Sequence, residues 1–168
     1  MVSGMRSRIA RDRAGEYPPQ LLNDADWAQY QRALDRAALV VTGRRGHERH
    51  PNPGRNRLVL TRSVERLTAD PNDKRAVLWN PAALSLHEVI AELGVSDGIV
   101  AITGVFDMFV SDYTSFLLSE SNLLLLGDAT PCFSFGHPRT ILAHAGLKPV
   151  TCEVIDAKAM VTTTLWTR

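Results

Sequence analysis

Ala38-Leu39-Val40-Val41-Thr42-Gly43-Arg44-Arg45-Gly46-His47-Glu48 joins an apolar run to a segment of glycines and arginines. Residues 38–42 form a short apolar run, bounded by a glycine and too brief for a helix, which is the pattern of a buried strand. Two arginines flanked by Gly43 and Gly46 follow at once. A strand end punctuated by glycine frees backbone N–H groups and sets guanidinium groups beside them, an arrangement shaped for a phosphate. The same residues also suit a solvated basic loop, so this segment alone leaves both readings open.

Working outward, residues 57–62 (Arg-Leu-Val-Leu-Thr-Arg) repeat the pattern after a Pro53-Gly54 turn signal. Residues 76–79 and 99–103 give two more strands. Upstream, Trp27, Tyr30 and Leu34 recur at helical spacing, with Asn23 or Asp24 placed to cap a helix that runs to about Arg36. Leu86, Val89, Ile90 and Leu93 share one face of a second helix over 85–93, stopped by Gly94. Gly104 opens an expected helix over 105–113, and residues 122–126 read as a fifth strand before a Gly127-Asp128 turn. Runs 151–155 and 160–166, rich in β-branched residues and separated by Asp156-Ala157-Lys158, predict an antiparallel hairpin. Helices alternating with strands, then a hairpin, make an α/β fold: a mixed, mostly parallel sheet flanked by helices with a C-terminal antiparallel hairpin.

The bulk properties agree with one soluble domain over 1–168. The chain has 168 residues, 45% hydrophobic and 22% charged, enough for a core without disulfide or metal staples. Cys132 and Cys152 lack partners at metal or redox spacing and read as buried thiols in a reducing compartment. No apolar run approaches a membrane span, and the arginines at 6, 8, 11 and 13 are not followed by the apolar stretch of a signal peptide, so a cytoplasmic protein is expected. The net charge of +1 hides an asymmetry: residues 1–75 hold 15 Lys and Arg against 9 Asp and Glu, residues 76–168 hold 4 against 9. The arginines lack aromatic interleaving or a helical stripe, which argues against polymeric nucleic acid and for a small polyanion.

Two further segments carry chemistry of the same kind. Thr61-Arg62-Ser63 sets two hydroxyls about an arginine at a strand end, and Thr103-Gly104-Val105 would bring a glycine beneath a pyrophosphate at a helix start. A G-x-G-x-x-G fingerprint is absent from the sequence, as is the G-x-S-x-G elbow of a serine hydrolase. The five histidines (His47, His50, His87, His137, His144) show no metal-ligand spacing, so no metal is expected.

The order of these pieces resembles the dihydrofolate reductase fold family. It is most similar to bacterial members related to the reductase domain of the riboflavin-pathway deaminase-reductase, where an early Ile-Ala pair, here Ile9-Ala10, precedes an Asp-rich helix start. The resemblance covers most of the chain. It implies NADPH as cofactor, with Gly43, Arg44 and Arg45 near the 2′-phosphate or pyrophosphate. Thr61, Arg62 and Ser63 would then lie near the adenosine ribose phosphate, and Thr103, Gly104 and Val105 along the diphosphate. The chain departs from the family pattern in having Gly46 where a threonine is usual, Thr103-Gly104 for a Gly-Gly pair, and a short start, Met1-Val2-Ser3-Gly4-Met5, in place of a full first strand.

Hydride transfer needs a proton source, and Asp24 and Asp26 at the helix start are the candidate catalytic acids, although capping and the helix dipole favour acids there in any case. Spacing back from Gly43-Arg44 puts Trp27 where folate reductases carry a carboxylate, which favours a ribosylamino-pyrimidine or other heterocycle over dihydrofolate. The expectation is an NADPH-dependent reductase of a small heterocyclic substrate. The alternative is a non-catalytic nucleotide-binding or regulatory protein of the same fold. The resemblance also implies a homodimer, with the 161–166 strand either at its interface or central in its own sheet.

Overall fold

The computed structural model describes residues 8–9, 22–50, 53–95, 97–122 and 130–168. In chain order the elements are β1 (Arg8–Ile9), α1 (Asp24–Asp35), β2 (Leu39–Gly43), α2 (Arg44–Arg49), β3 (Arg57–Leu60), β4 (Leu67–Ala69), β5 (Ala76–Trp79), α3 (Leu86–Glu92) and β6 (Val100–Thr103). A 3-10 turn (Phe106–Phe109), β7 (Ser115–Ser121), β8 (Thr130–Pro131), α4 (Pro138–His144), β9 (Lys148–Asp156) and β10 (Val161–Thr167) follow. The chain forms two compact units, Gln31–Val105 on one hand and Met1–Tyr30 with Phe106–Arg168 on the other.

The Gln31–Val105 unit is built on a five-stranded sheet of order β4-β5-β3-β2-β6. Strands β5, β3, β2 and β6 run parallel and β4 closes one edge antiparallel. The apolar runs seen in the sequence are buried as parallel strands require: Leu39, Val40 and Val41 in β2, Leu58, Val59 and Leu60 in β3, Trp79 at the end of β5. Helix α3 starts with a full capping box, Ser85 accepting from the Glu88 N–H and Glu88 reaching back to Ser85, and it buries Leu86 and Val89.

Arg57 is only 2% exposed at the head of β3. It ion-pairs with Asp73 and donates to the Arg55 carbonyl at 3.2 Å. A further contact of 3.4 Å runs to Nδ1 of His47, whose Nε2 lies 3.2 Å from Asp70. Since arginine only donates, Nδ1 must accept and Nε2 carries the proton toward Asp70. The carboxyl of Asp73 is held below the usual range by the Arg75 N–H and then by Arg57. A buried charge needs this degree of pairing to be tolerated.

In the second unit, β7, β10 and β9 form an antiparallel sheet with β10 in the middle, so the C-terminal hairpin β9-β10 is present and the 161–166 strand is central in its sheet. Phe106, Tyr113, Phe116 and Phe133 pack edge-on or tilted with ring centroids 5.2–6.1 Å apart. Helix α4 begins with Pro138 behind a His137 cap whose Nδ1 accepts from the Arg139 N–H.

Several expectations are corrected. The 43–48 segment is not a loop but enters α2, with Arg44 and Glu48 paired one turn apart at 2.9 Å. The helix expected over 105–113 is a single 3-10 turn. There the Asp107 carboxylate accepts from the Ser134 N–H and hydroxyl and Tyr113 donates to the Phe106 carbonyl, contacts that hold the chain in a tighter path. Cys152 is exposed, not buried, and Cys132 is half-buried. Of the strand expected over 122–126, residues 123–126 lie outside the described residues, as do the Gly127-Asp128 turn and Ala10. Strand β7, just upstream, went unread because Ser115, Ser119, Glu120 and Ser121 make it polar.

Candidate functional site

The sheet order puts β3, β2 and β6 side by side and parallel, so their carboxyl ends share one edge. In register Gly43 stands opposite Leu60 and Thr42 opposite Thr103. The three segments singled out in the sequence, Gly43-Arg44-Arg45, Thr61-Arg62-Ser63 and Thr103-Gly104-Val105, are thereby brought together. That edge of an open parallel sheet is where such folds take ligands.

Each segment has its own local cause. Thr61 is buried, donates its N–H to the Trp79 carbonyl at 2.9 Å, and shares a 2.8 Å hydrogen bond with the Ser63 hydroxyl. The Ser63 N–H also donates to Thr61 Oγ1 at 3.1 Å, which closes a tight hydroxyl turn and leaves Arg62 and Ser63 facing solvent. Thr103 Oγ1 donates to the Val41 carbonyl at 3.3 Å, tying β6 to β2 at the edge.

Gly104 has φ +71°, which a side chain resists, and a Cβ there would meet nothing within 4 Å. The backbone at Gly104 is therefore open to close approach. On Gly43 a Cβ would come 3.2 Å from Val105 Cγ1, and on Gly46 one would come 2.9 Å from Thr42 Oγ1. Both glycines permit close packing at the mouth of the edge.

Among the described residues Arg45 and Arg62 are exposed and carry no side-chain hydrogen bond or ion pair, whereas Arg44 is held by Glu48. Exposed pairs of this kind are worth less than about 1 kcal/mol, so a phosphate can take Arg44 from its partner. The edge thus offers up to three guanidinium groups and exposed backbone to a polyanion, which is the donor set a dinucleotide phosphate needs. On these observations the residues fit NADPH.

Asp24 and Asp26 belong to the other compact unit, in the first turn of α1. Asn23 is the cap: its Oδ1 accepts from the Asp26 N–H at 3.0 Å, and its amide donates to Asp156 at 2.8 Å. Asp24 is exposed and Asp26 half-buried, and the capping contact to the helix is made by Asn23. Arg57, quoted in the sequence only as the first residue of an apolar run, is a buried cation paired with Asp73. Among the described residues no group of three or more His, Cys, Asp or Glu is placed to hold a metal ion, and no helix is long and apolar enough to cross a membrane.

The chain matches no family model and no curated protein. Among solved structures it is similar to a Shewanella sp. PV-4 protein provisionally named as a riboflavin biosynthesis protein. The TM-score is 0.64 at 16% identity, over 98% of this chain and 93% of that one. The likeness is one of fold. The mixed α/β architecture with its C-terminal hairpin is that of the dihydrofolate reductase-like class.

Proposed function

We propose that this chain is an NADPH-dependent reductase of a small heterocyclic substrate of ribosylamino-pyrimidine or pterin type. The observation that carries the reading is the convergence of Gly43-Arg44-Arg45, Thr61-Arg62-Ser63 and Thr103-Gly104-Val105 on one carboxyl edge of adjacent parallel strands. When bound, the nicotinamide would supply a hydride to an electrophilic C=N or C=O. The chain's part is to bind and orient. Arg45 and Arg62 hold phosphate by charge-assisted hydrogen bonds, Arg44 joins them on release from Glu48, and the open backbone at Gly104 lets the diphosphate lie close. Asp26 is the better candidate proton donor because it is more covered than Asp24. The name of the Shewanella structure is in keeping with a riboflavin-type substrate.

A second reading, a nucleotide-binding protein without turnover, is favoured by one feature: the chain after Gly104 makes a 3-10 turn, so no α-helix starts at the end of β6 to add its dipole to the diphosphate there. The two readings part in one experiment, the loss of nicotinamide absorbance when NADPH is mixed with the protein and a panel of pyrimidine and pterin substrates. Steady consumption with one of them supports the reductase; tight NADPH binding with no consumption across the panel supports the second reading.

A further inference from the structure

We propose that His47 is the positioning residue of the phosphate-binding edge: its neutral imidazole, held between Asp70 and Arg57, seats α2 so that Arg44 and Arg45 face the dinucleotide phosphates, and a second proton unseats them. The inference rests on the dinucleotide-binding reading of that edge and says how its arginines are aimed. Helix α2 has six residues, none of them buried, and Gly43 gives its first turn no side-chain cap. So short a helix does not sustain itself, because nucleation costs more than one turn of hydrogen bonds returns. The Arg44–Glu48 pair lies within the helix and fixes nothing outside it.

His47 supplies an anchor. Its side chain is 13% exposed, its Nε2–H faces the Asp70 carboxylate at 3.2 Å, and its Nδ1 stands 3.4 Å from the Arg57 guanidinium. Both partners are fixed to the sheet. Asp70 follows β4 and donates its N–H to the Ala76 carbonyl at 2.9 Å. Its Oδ1 accepts from the Asn72 N–H at 2.9 Å, which leaves Oδ2 to His47. Arg57 heads β3, opposite Val40, and is ion-paired with Asp73. A helix that leaves the carboxyl edge at Gly43 is thereby tied, one turn on, to the head of the neighbouring strand. Two points, Gly43 and His47, set its direction, and Gly46 lets it lie against Thr42.

Among the described residues the charged groups that face the imidazole are Asp70 and Asp73 on the β4–β5 turn and Arg57 on β3, with Arg44 and Glu48 on its own helix. A second proton, on Nδ1, turns the acceptor of the Arg57 contact into a donor and sets imidazolium against guanidinium. Asp70 gains an ion pair, but the ring no longer keeps both contacts. The sign of the effect separates positioning from plain attraction. An imidazolium acting only by its charge would raise the affinity for a phosphate as pH falls, whereas loss of the seat lowers it.

The test is calorimetric titration of the full chain with NADPH. His47→Ala is expected to bind about tenfold more weakly than the wild type with an unchanged circular dichroism spectrum, the scale of losing a hydrogen bond to a charged partner. His47→Asn, whose Oδ1 can accept from Arg57 as Nδ1 does and which gains no proton, is expected to recover most of that affinity. From about pH 7.5 to about pH 5.5 imidazoles take their second proton, and the 2′-phosphate of the ligand protonates alike for both proteins. Over that interval the wild type is expected to lose about threefold or more beyond the loss shown by His47→Asn. Imidazole nitrogen spectra of the wild type, with His47 assigned by the resonances that His47→Asn removes, are expected to place the neutral ring's proton on Nε2. The pH comparison and the tautomer do not depend on a folded His47→Ala. Equal NADPH binding by the wild type and folded His47→Ala overturns this inference and leaves the reductase reading in place. So does an Nδ1–H tautomer, or a wild-type affinity that rises on acidification relative to His47→Asn. A wild type that binds no NADPH overturns both.

Discussion

Gly43 faces Val105 so closely that a methyl group on Gly43 would stand 3.2 Å from Val105 Cγ1. The contact joins two of the three segments at the carboxyl edge and limits what else fits there. Gly43→Ala is expected to cost about 1 kcal/mol of stability, because Val105 must give by a few tenths of an ångström, and to weaken NADPH binding more than that cost alone would. Adding Val105→Ala should restore both. A Gly43→Ala protein with wild-type NADPH affinity would mean that no ligand uses this corner.

The arginines should be separable by their present partners. Arg45→Ala and Arg62→Ala each remove a guanidinium with no protein partner among the described residues, so each is expected to lower NADPH affinity by about 1.5–3 kcal/mol with little change in thermal stability. Glu48→Gln frees Arg44 and should raise affinity slightly, by less than about 1 kcal/mol. Calorimetric titration of each variant against NADPH and NADH reads the effect, and losses equal for both dinucleotides would place these groups away from the 2′-phosphate.

Asp26 and its cap can be uncoupled, because Asn23 holds the backbone N–H of Asp26 and not its carboxylate. Asp26→Asn is expected to keep the helix and NADPH binding while lowering turnover by about 100-fold or more, the range in which general acids contribute. Asp24→Asn should leave turnover intact. Asn23→Ala, by contrast, should cost about 1 kcal/mol of stability by removing the cap.

Acid should weaken this fold through three carboxylates. Asp73, Glu88 and Asp156 are all held below their ordinary values. The causes are the Arg75 N–H and then Arg57 at Asp73, the Ser85 hydroxyl and N–H at Glu88, and the Ala159 N–H and then Asn23 at Asp156. A carboxylate whose folded pKa lies below its unfolded pKa adds stability that is complete above about pH 4 and is lost as pH falls through the lower folded value. Denaturant midpoints should therefore be flat above about pH 5 and fall below pH 4. Asp73→Asn should flatten that fall. Arg57→Ala should cost roughly 3 kcal/mol at neutral pH, since it empties a buried site and breaks the network through Asp73 and His47.

The two thiols should differ in reactivity. Burial raises Cys132 to about 11, so in a Cys152→Ser background the remaining thiol should react slowly with a disulfide reagent at neutral pH and quickly once the protein is unfolded. Fast labelling of the folded variant would place Cys132 in contact with solvent.

Much of this fold could be read from residues alone, for identifiable reasons. Strands β2 and β3 are buried over residues 39–41 and 58–60, so those runs are apolar without a break, and Ser85-x-x-Glu88 is a capping box that announces α3. Strand β7 is stabilised mainly by its seven-residue register against β10, a long-range partner that local propensity does not record. Helix α2 was hidden because glycines at 43 and 46 read as loop, whereas they serve close packing against Val105 and Thr42. The site was legible as three strand ends. That β3, β2 and β6 are neighbours is a property of the sheet, and no local pattern at Gly43, Thr61 or Thr103 contains it.

In the proposed function the edge formed by Gly43-Arg44-Arg45, Thr61-Arg62-Ser63 and Thr103-Gly104-Val105 holds a phosphorylated dinucleotide. Parallel calorimetric titrations of the folded wild-type chain with NADPH and with NADH test it most directly. Micromolar binding of NADPH is expected, with binding of NADH at least about tenfold weaker, the loss that follows when a 2′-phosphate contact is removed. No binding of NADPH, or equal affinity for the two, would contradict it.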